Sequence, residues 1–530
     1  MSVAAQAVPA TETTHELRRD VTVWGSYTWG YADVGADFYV ALGLVIGASQ
    51  GGAPAAFALA GLVYIMIGLA YTELASTYPV AGGGQYFALR GLGDIWGLVS
   101  GAALLLDYTI DIALFAAASA GYFNFFSPYI LGFNLSDLVV AIGPFREIHW
   151  VWMLETTLLI LFLIYLNIRG VRESSRLNEL IGLVGIIIEA SIVIFGFTLA
   201  WKPGLLIHQW RFEFPTVSQF MYGTSLAIIS FVGLESISQA AQETRRPATV
   251  IPRTSIALIF TVFIFAVGFS VVSLGILPWR EFQSHVGDPV AHLAEHIPYL
   301  GIIAGPLAAA LGATILMISA NTGVMGASRL TFSMSRLQLL TPWLDKVHPK
   351  FRTPVRTIVV FGLMGLLEAF LSFLTPSALD TLGNMYAFGA TLAYTLVFIS
   401  LIRLRFIDPY SPRPYKMPFN LPTKFHGRTV DFPVLGVFGL LGVMSILGMV
   451  ILTHEIGRIA GPAWVLLSFG YYVWFRKSRG YPVLGSIKRD WDKEQIEVLT
   501  SAEEFELVEQ FKLAIERRDR GLGAVGNNRK

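Results

Sequence analysis

The chain has 530 residues, 54% of them hydrophobic and 14% charged, with a formal net charge of +1 and no cysteine. A soluble protein carries about a quarter charged residues, so this balance excludes an ordinary soluble domain, and the missing cysteines exclude disulfides and thiolate metal sites. The charges are segregated into loops between apolar stretches, which leaves no sign of a nucleic-acid partner.

Residues 1–20 are polar and lack the apolar core of a signal peptide. They are expected to form a cytoplasmic tail, with the first apolar segment kept in the mature protein. Twelve apolar segments follow, each long enough to cross a hydrocarbon core of about 30 Å. They run over 24–47, 54–77, 95–122, 149–168, 179–201, 217–241, 254–277, 300–328, 356–375, 380–403, 431–453 and 460–477. The fold class is therefore an all-α polytopic membrane protein. With the N-terminus inside, the outer loops hold only Arg146, Lys202, Arg211, Arg280 and Arg458, and the other 33 of the 38 basic residues fall inside. That skew predicts an inner or plasma membrane protein with both termini cytoplasmic. Residues 21–405 would form a transport core, 406–478 a cytoplasmic loop with spans 11 and 12, and 479–530 a cytoplasmic tail.

Secondary transporters bind substrate at interrupted helices in matching positions of two inverted repeats. Span 1 carries Gly30, Gly35 and Gly43 around Asp33 and Asp37; span 6 carries Gly223 and Gly233 beside Glu235. Spans 1–5 and 6–10 are thus read as the repeats, each opening with a glycine-interrupted helix that bears an acid. A carboxylate at mid-membrane costs about 2.5–3.5 kcal/mol on insertion scales, which usually ties it to function. Span 3 adds Asp107 and Asp111, four apart and so on one helix face. No lysine or arginine lies deep in a span, so the counter-charge must be protons or a passing cation. Tyr108, Ser230, Ser319, Asn321 and Thr322 are neutral ligand candidates, although such residues also serve as helix-to-helix hydrogen-bond partners. Glu155 and Glu368 fit packing or interfacial roles, and Glu189 stands between the two readings.

The outer loop "HVGDPVAHLAEH" places His285, His292 and His296 in what reads as a solvated helix rather than a zinc site. In the tail, Ser501 and Glu504 have capping-box spacing, and Phe505, Val508, Phe511 and Ile515 form an apolar stripe expected to pack on the inner face. No phosphate-binding G-x-x-x-x-G-K-[ST] motif occurs, against an ATP-driven pump. No histidine lies deep in a span, which speaks against a membrane enzyme.

Four blocks in order resemble the amino acid–polyamine–organocation (APC) superfamily: "TELASTYPVAGGGQYFALR" (72–90), "LNIRGVRESSRLN" (166–178), "FVGLESISQAAQETRRPATVIPR" (231–253, with Glu243, Pro247 and Pro252) and "ANTGVMGASRLTFSMSR" (320–336). The resemblance implies the leucine-transporter-type fold, a 5+5 inverted repeat plus two helices, with the site between broken spans 1 and 6. Permeases of this superfamily usually carry Gly-Ser/Ala/Thr-Gly at the span 1 break, where backbone N–H groups receive a substrate carboxylate. Here Gly35-Ala36-Asp37 occupies those positions, and Gly185 stands where some proton-coupled relatives have a lysine. "YADVG" (31–35) and "LLLDYTID" (104–111) are similar instead to segments of KUP- and KimA-type potassium transporters, which implies a cation and proton site at Asp33, Asp107, Tyr108 and Glu235. Two ligand threonines of the KimA type fall at Asp111 and Val232.

The expectation is a secondary carrier of amino acids or small amines, biased to cationic ones, with potassium–proton symport as the alternative. It would need no cofactor beyond the coupling or transported ion, a proton or else sodium or potassium. Its partners would be the bilayer and a small-molecule or cation substrate, and the carrier a monomer or homodimer. Proton coupling is assigned to Asp33, Asp107 and Glu235.

Overall fold

The computed structural model describes residues 23–520, apart from 81, 143–144, 171–174, 236–237, 239–240, 242–243, 245 and 426–427. The expected 1–20 tail, Arg172, Glu243, Arg245 and residues 521–530 lie outside the described residues. The helices at the twelve expected spans are Val23–Ser49, Ala53–Thr77, Asp94–Asn124, Trp150–Arg169, Ser175–Phe195 and Val217–Ala227, then Pro247–Ile276, Gly301–Arg336, Val355–Ser372, Ala378–Ile407, Val434–Thr453 and Gly457–Ser478, the last of which is not apolar enough to count as a crossing on composition. Among the described residues, nine helical stretches are long and apolar enough to cross a membrane, the first of which, 23–77, contains spans 1 and 2. Val217–Phe231 is a shorter apolar helix, as expected of a span interrupted midway. The connections add two antiparallel hairpins that the all-helical expectation did not include, Val139–Ile142 with Phe145–His149 and Asn420–Phe425 with Arg428–Pro433.

Only one of the two expected interruptions is present. Span 6 leaves the α-helix after Ala227, passes through the 3₁₀ turn Ile228–Phe231 and an extended Val232, and turns at Gly233 with φ +103°. A side chain there would be strained. Span 1, by contrast, is helical without a gap from Val23 to Ser49. Gly43 serves close packing rather than unwinding: a Cβ there would stand 3.2 Å from Pro289 and from the Val286 backbone.

Span 3 is the central post, with nearly every residue from Gly97 to Tyr122 buried. It packs on spans 8, 9, 10 and 4. Span 8 comes close, since a Cβ at Gly326 would stand 2.6 Å from the Tyr108 ring. Any larger residue would push the two helices apart at the depth of Asp107 and Asp111.

The face of the bundle that carries the ends of the described chain is closed by charge pairs. Glu73 at the end of span 2 accepts from Arg405 Nε at 2.7 Å and from an Arg405 terminal nitrogen at 2.6 Å, and from the Met417 amide at 2.8 Å. Asp94 is held by Arg476 and, at 2.5 Å, by Arg489. Arg90 joins Asp408 at 2.8 Å and Gln495 of the tail at 3.0 Å. The tail folds as Trp491–Ser501 and Phe505–Asp519, burying Leu499, Val508 and Phe511 and half-burying Ile515, while Phe505 stays exposed. The capping box expected at Ser501 is not formed, because Ser501 ends the preceding helix and its hydroxyl donates to the Val498 carbonyl. Glu504 instead accepts from the Ala248 amide at 3.1 Å, satisfying one of the orphan donors at the start of span 7.

On the opposite face, His292 is buried rather than solvated, its ring stacked on His285 at 3.7 Å and set edgewise to His296 at 4.7 Å. Among the described residues no three or more histidine, aspartate or glutamate side chains are placed so that they could hold one metal ion. Burial, reinforced by the two neighbouring imidazoles, pushes His292 down to about 3, whereas His285 is raised by its hydrogen bond to Asp288.

Two predictions follow from these contacts. Glu73→Ala strands the Arg405 guanidinium, a loss of about 3–5 kcal/mol for a buried pair broken on one side, read as a lower thermal midpoint in detergent. The double variant Glu73→Leu/Arg405→Met should lose less than the single change. A depressed histidine binds its proton in the unfolded chain first, so its contribution is intact above the ordinary value of 6.5 and lost as pH falls towards 3. His292→Asn should therefore unfold with a flatter acid dependence than the wild type, and an unchanged slope would contradict this account.

Candidate cation site

Three helices bring five carboxylates to the middle of the bundle. In span 1, Asp33 and Asp37 lie four apart on one face, buried to 8% and 2% exposure. Asp33 accepts from the Thr322 hydroxyl of span 8 at 2.5 Å, and its other oxygen lies 3.2 Å from where a Cβ on Gly233 would stand. The break in span 6 is thus what lets that segment reach span 1. Asp37 accepts from the Tyr386 hydroxyl of span 10 at 3.5 Å.

Span 3 supplies Asp107 and Asp111 one turn apart. Asp107 is fully buried with neither carboxylate oxygen hydrogen-bonded, and one oxygen of Asp111 is likewise without a partner. Glu235, just past the span 6 break, accepts from the Tyr394 hydroxyl of span 10 at 3.0 Å. Asp37, Asp107, Asp111 and Glu235 lie close enough to act on one another, with Asp33 and the Tyr386 and Tyr394 hydroxyls beside them. Like charges in a dry site cannot all ionise unless a cation or protons enter among them.

The neutral candidates divide. Thr322 faces Asp33, and its hydroxyl also reaches the Ser319 carbonyl at 2.7 Å. Ser230 is buried with its hydroxyl unpartnered. Tyr108 is buried against Gly326 on the face of span 3 that also carries Asp111. Asn321 instead accepts from the Asn167 amide of span 4 at 2.6 Å, a helix-to-helix bond. Ser319 is buried beside it. Gly35 and Ala36 lie inside the continuous span 1 helix, so their amides belong to its hydrogen-bond ladder and do not face a ligand. This corrects the expected backbone cradle, whose physical precondition was a break that span 1 lacks.

Other acids stay apart from the cluster. Glu155 accepts from Asn124 at 2.7 Å and Glu368 from Thr109 at 3.1 Å, while Glu189 faces Tyr31 between spans 5 and 1.

Sequence reasoning missed the tyrosines. Tyr386 and Tyr394 donate to two of the acids, and Tyr64 and Tyr71 of span 2 stand near Glu235 with buried, unpartnered hydroxyls. The spacing of Tyr386 and Tyr394, eight apart and on one helix face, was the available signal.

The sequence profile described as amino acid permease matches residues 30–468. The chain is 27% identical over 419 residues to the branched-chain amino acid permease BcaP of Bacillus subtilis (strain 168), covering 78% of this chain and 86% of that one. It is 29% identical over 383 residues to cationic amino acid transporter 4 of Mus musculus, covering 70% of this chain and 57% of the mouse protein. To the low-affinity putrescine importer PlaP of Escherichia coli (strain K12) it is 24% identical over 477 residues, or 88% and 96% of the two chains. The likeness of short segments to potassium transporters finds no support in these matches. With its profile running from span 1 into span 12, and with the helical, multi-span architecture that the profile requires, the chain belongs to the amino acid permease family of the APC superfamily.

Proposed function

We propose that this permease is a proton-coupled carrier of cationic amino acids or small amines, working by alternating access in the inner or plasma membrane with both termini cytoplasmic. The observation that carries it is the cluster of Asp33, Asp37, Asp107, Asp111 and Glu235, buried close to one another in the bundle. A substrate amine entering the cluster supplies the missing positive charge. Protons supply it when the site is empty, so that a neutralised carrier can reorient in either condition. Asp37 supports the amine bias, because an aspartate at that place repels the carboxylate of a neutral amino acid. The relatives named for cationic amino acids and putrescine point the same way. The excess of basic residues in the loops on one side supports the orientation.

Two measurements test the proposal. Asp107→Asn should abolish concentrative uptake into proteoliposomes bearing a pH gradient, and full uptake by that variant would sink the proton assignment. In a thermal-shift series on detergent-purified protein, arginine, lysine or putrescine should stabilise, by about 2.7 kcal/mol at a hundredfold excess over Kd. Stabilisation by potassium alone would overturn the substrate class.

A further inference from the structure

Spans 1, 2, 6 and 7 pack chiefly on one another, and spans 3, 4, 8 and 9 do the same. The tail after span 12 reaches both groups on the face that carries the ends of the described chain. On the side of spans 3 and 8 it is rooted by charge. Asp94, the first residue of span 3, accepts from the Ile487 amide at 3.1 Å and from Arg489 at 2.5 Å. Arg489 also donates to the Leu337 carbonyl, one residue past span 8, at 2.8 Å. On the side of spans 2 and 7 the tail bonds to helix ends. Gln495 donates to the carbonyl of Thr77, the last residue of span 2, at 2.8 Å, and Glu504 accepts from the Ala248 amide in the first turn of span 7 at 3.1 Å. Between the two anchorages Arg90 donates both to Gln495 and to Asp408, which the Tyr78 hydroxyl, just past span 2, also reaches at 2.9 Å. The tail thus lies across the line where the two groups of spans meet.

Two features mark it as a strap rather than as part of the core. Its helices, Trp491–Ser501 and Phe505–Asp519, pack chiefly on each other and reach the bundle through individual side chains. A cavity of about 880 Å³ is left between them and the end of span 10, lined among others by Arg90, Asp408, Tyr410, Trp491 and Arg518. The anchorages also differ in what their loss exposes. Parting Arg489 from the buried Asp94 removes one of the two arginines that balance its charge. Parting Gln495 from Thr77, or Glu504 from Ala248, frees backbone groups at helix ends, which water satisfies as well. The bonds to spans 2 and 7 are therefore the ones that open at low cost.

We propose that residues 487–504 form a strap that holds this face of the carrier closed, staying on spans 3 and 8 and letting go of Thr77 and Ala248 when spans 2 and 7 swing away. The inference rests on the carrier reading above, in which the two groups of spans part on this face to release substrate. A hydrogen bond of ordinary strength weights the closed state by about twofold to tenfold. Removing both bonds therefore shifts the balance between closed and open forms and leaves the fold in place.

The test uses the full chain in liposomes. It has no cysteine, so introduced ones are labelled without competition. Spin labels on Thr249→Cys and Arg336→Cys, both exposed, report the separation between the start of span 7 and the end of span 8 by pulsed electron resonance. Adding Gln495→Ala/Glu504→Ala should move weight from a shorter to a longer distance and speed the uptake of labelled arginine or putrescine. Identical distance distributions with and without these changes would overturn the strap. In a second design a cleavable cross-linker joins Thr249→Cys to Phe505→Cys; uptake should stop and return once the linker is reduced. This design decides the matter where Gln495→Ala/Glu504→Ala fails to fold, and undiminished uptake by fully cross-linked protein would overturn the strap. An intact protein that takes up neither substrate defeats the carrier reading instead, and the distance measurement then judges the strap by itself.

Discussion

Five carboxylates buried close to one another set the constraint that the rest of this structure answers. Taking a single ion out of water costs several kcal/mol even after relaxation, and like charges placed together raise that cost. The bundle brings hydroxyls to three of them: Thr322 to Asp33, Tyr386 to Asp37 and Tyr394 to Glu235. Asp107 receives no hydrogen bond at all.

The contrast with the face bearing the chain ends is instructive, because the same residue types are used there for the opposite purpose. Glu73 is buried as deeply as Asp107, yet it is held by both donors of one arginine edge and by a backbone amide. Asp94 is likewise closed by two arginines. Those acids are saturated and therefore structural. The tail adds to this closure, since Gln495 bridges Arg90 and the Thr77 carbonyl while Glu504 reaches the start of span 7. Segments from both halves of the chain are thereby braced together at this face.

Span 1 is used on two faces. One of its faces presents Asp33 and Asp37 to spans 8 and 10, and another presents Tyr31 and Tyr39 to Glu189 of span 5. The flexibility required by a neighbouring segment is placed in span 6, at Gly233.

The twelve apolar stretches were legible in the chain because a hydrocarbon core demands about 20 apolar residues per crossing, and that demand is written locally. The intramembrane acids were legible for the same reason, as exceptions to a strong rule. Pattern alone could not tell Asp33 from Glu368, since both are acids in apolar helices, and only packing sends one to the cluster and the other to Thr109. Nor could Gly43 of span 1 be distinguished from Gly233 of span 6: both permit a break, and tertiary contacts decided that the first packs and the second turns the chain. The tyrosine donors and the reach of Glu504 to span 7 depend on partners more than a hundred residues away. Composition and periodicity therefore determined the membrane architecture and the kinds of residue at its centre, whereas long-range packing decided which of them meet and which are left with an unfilled valence.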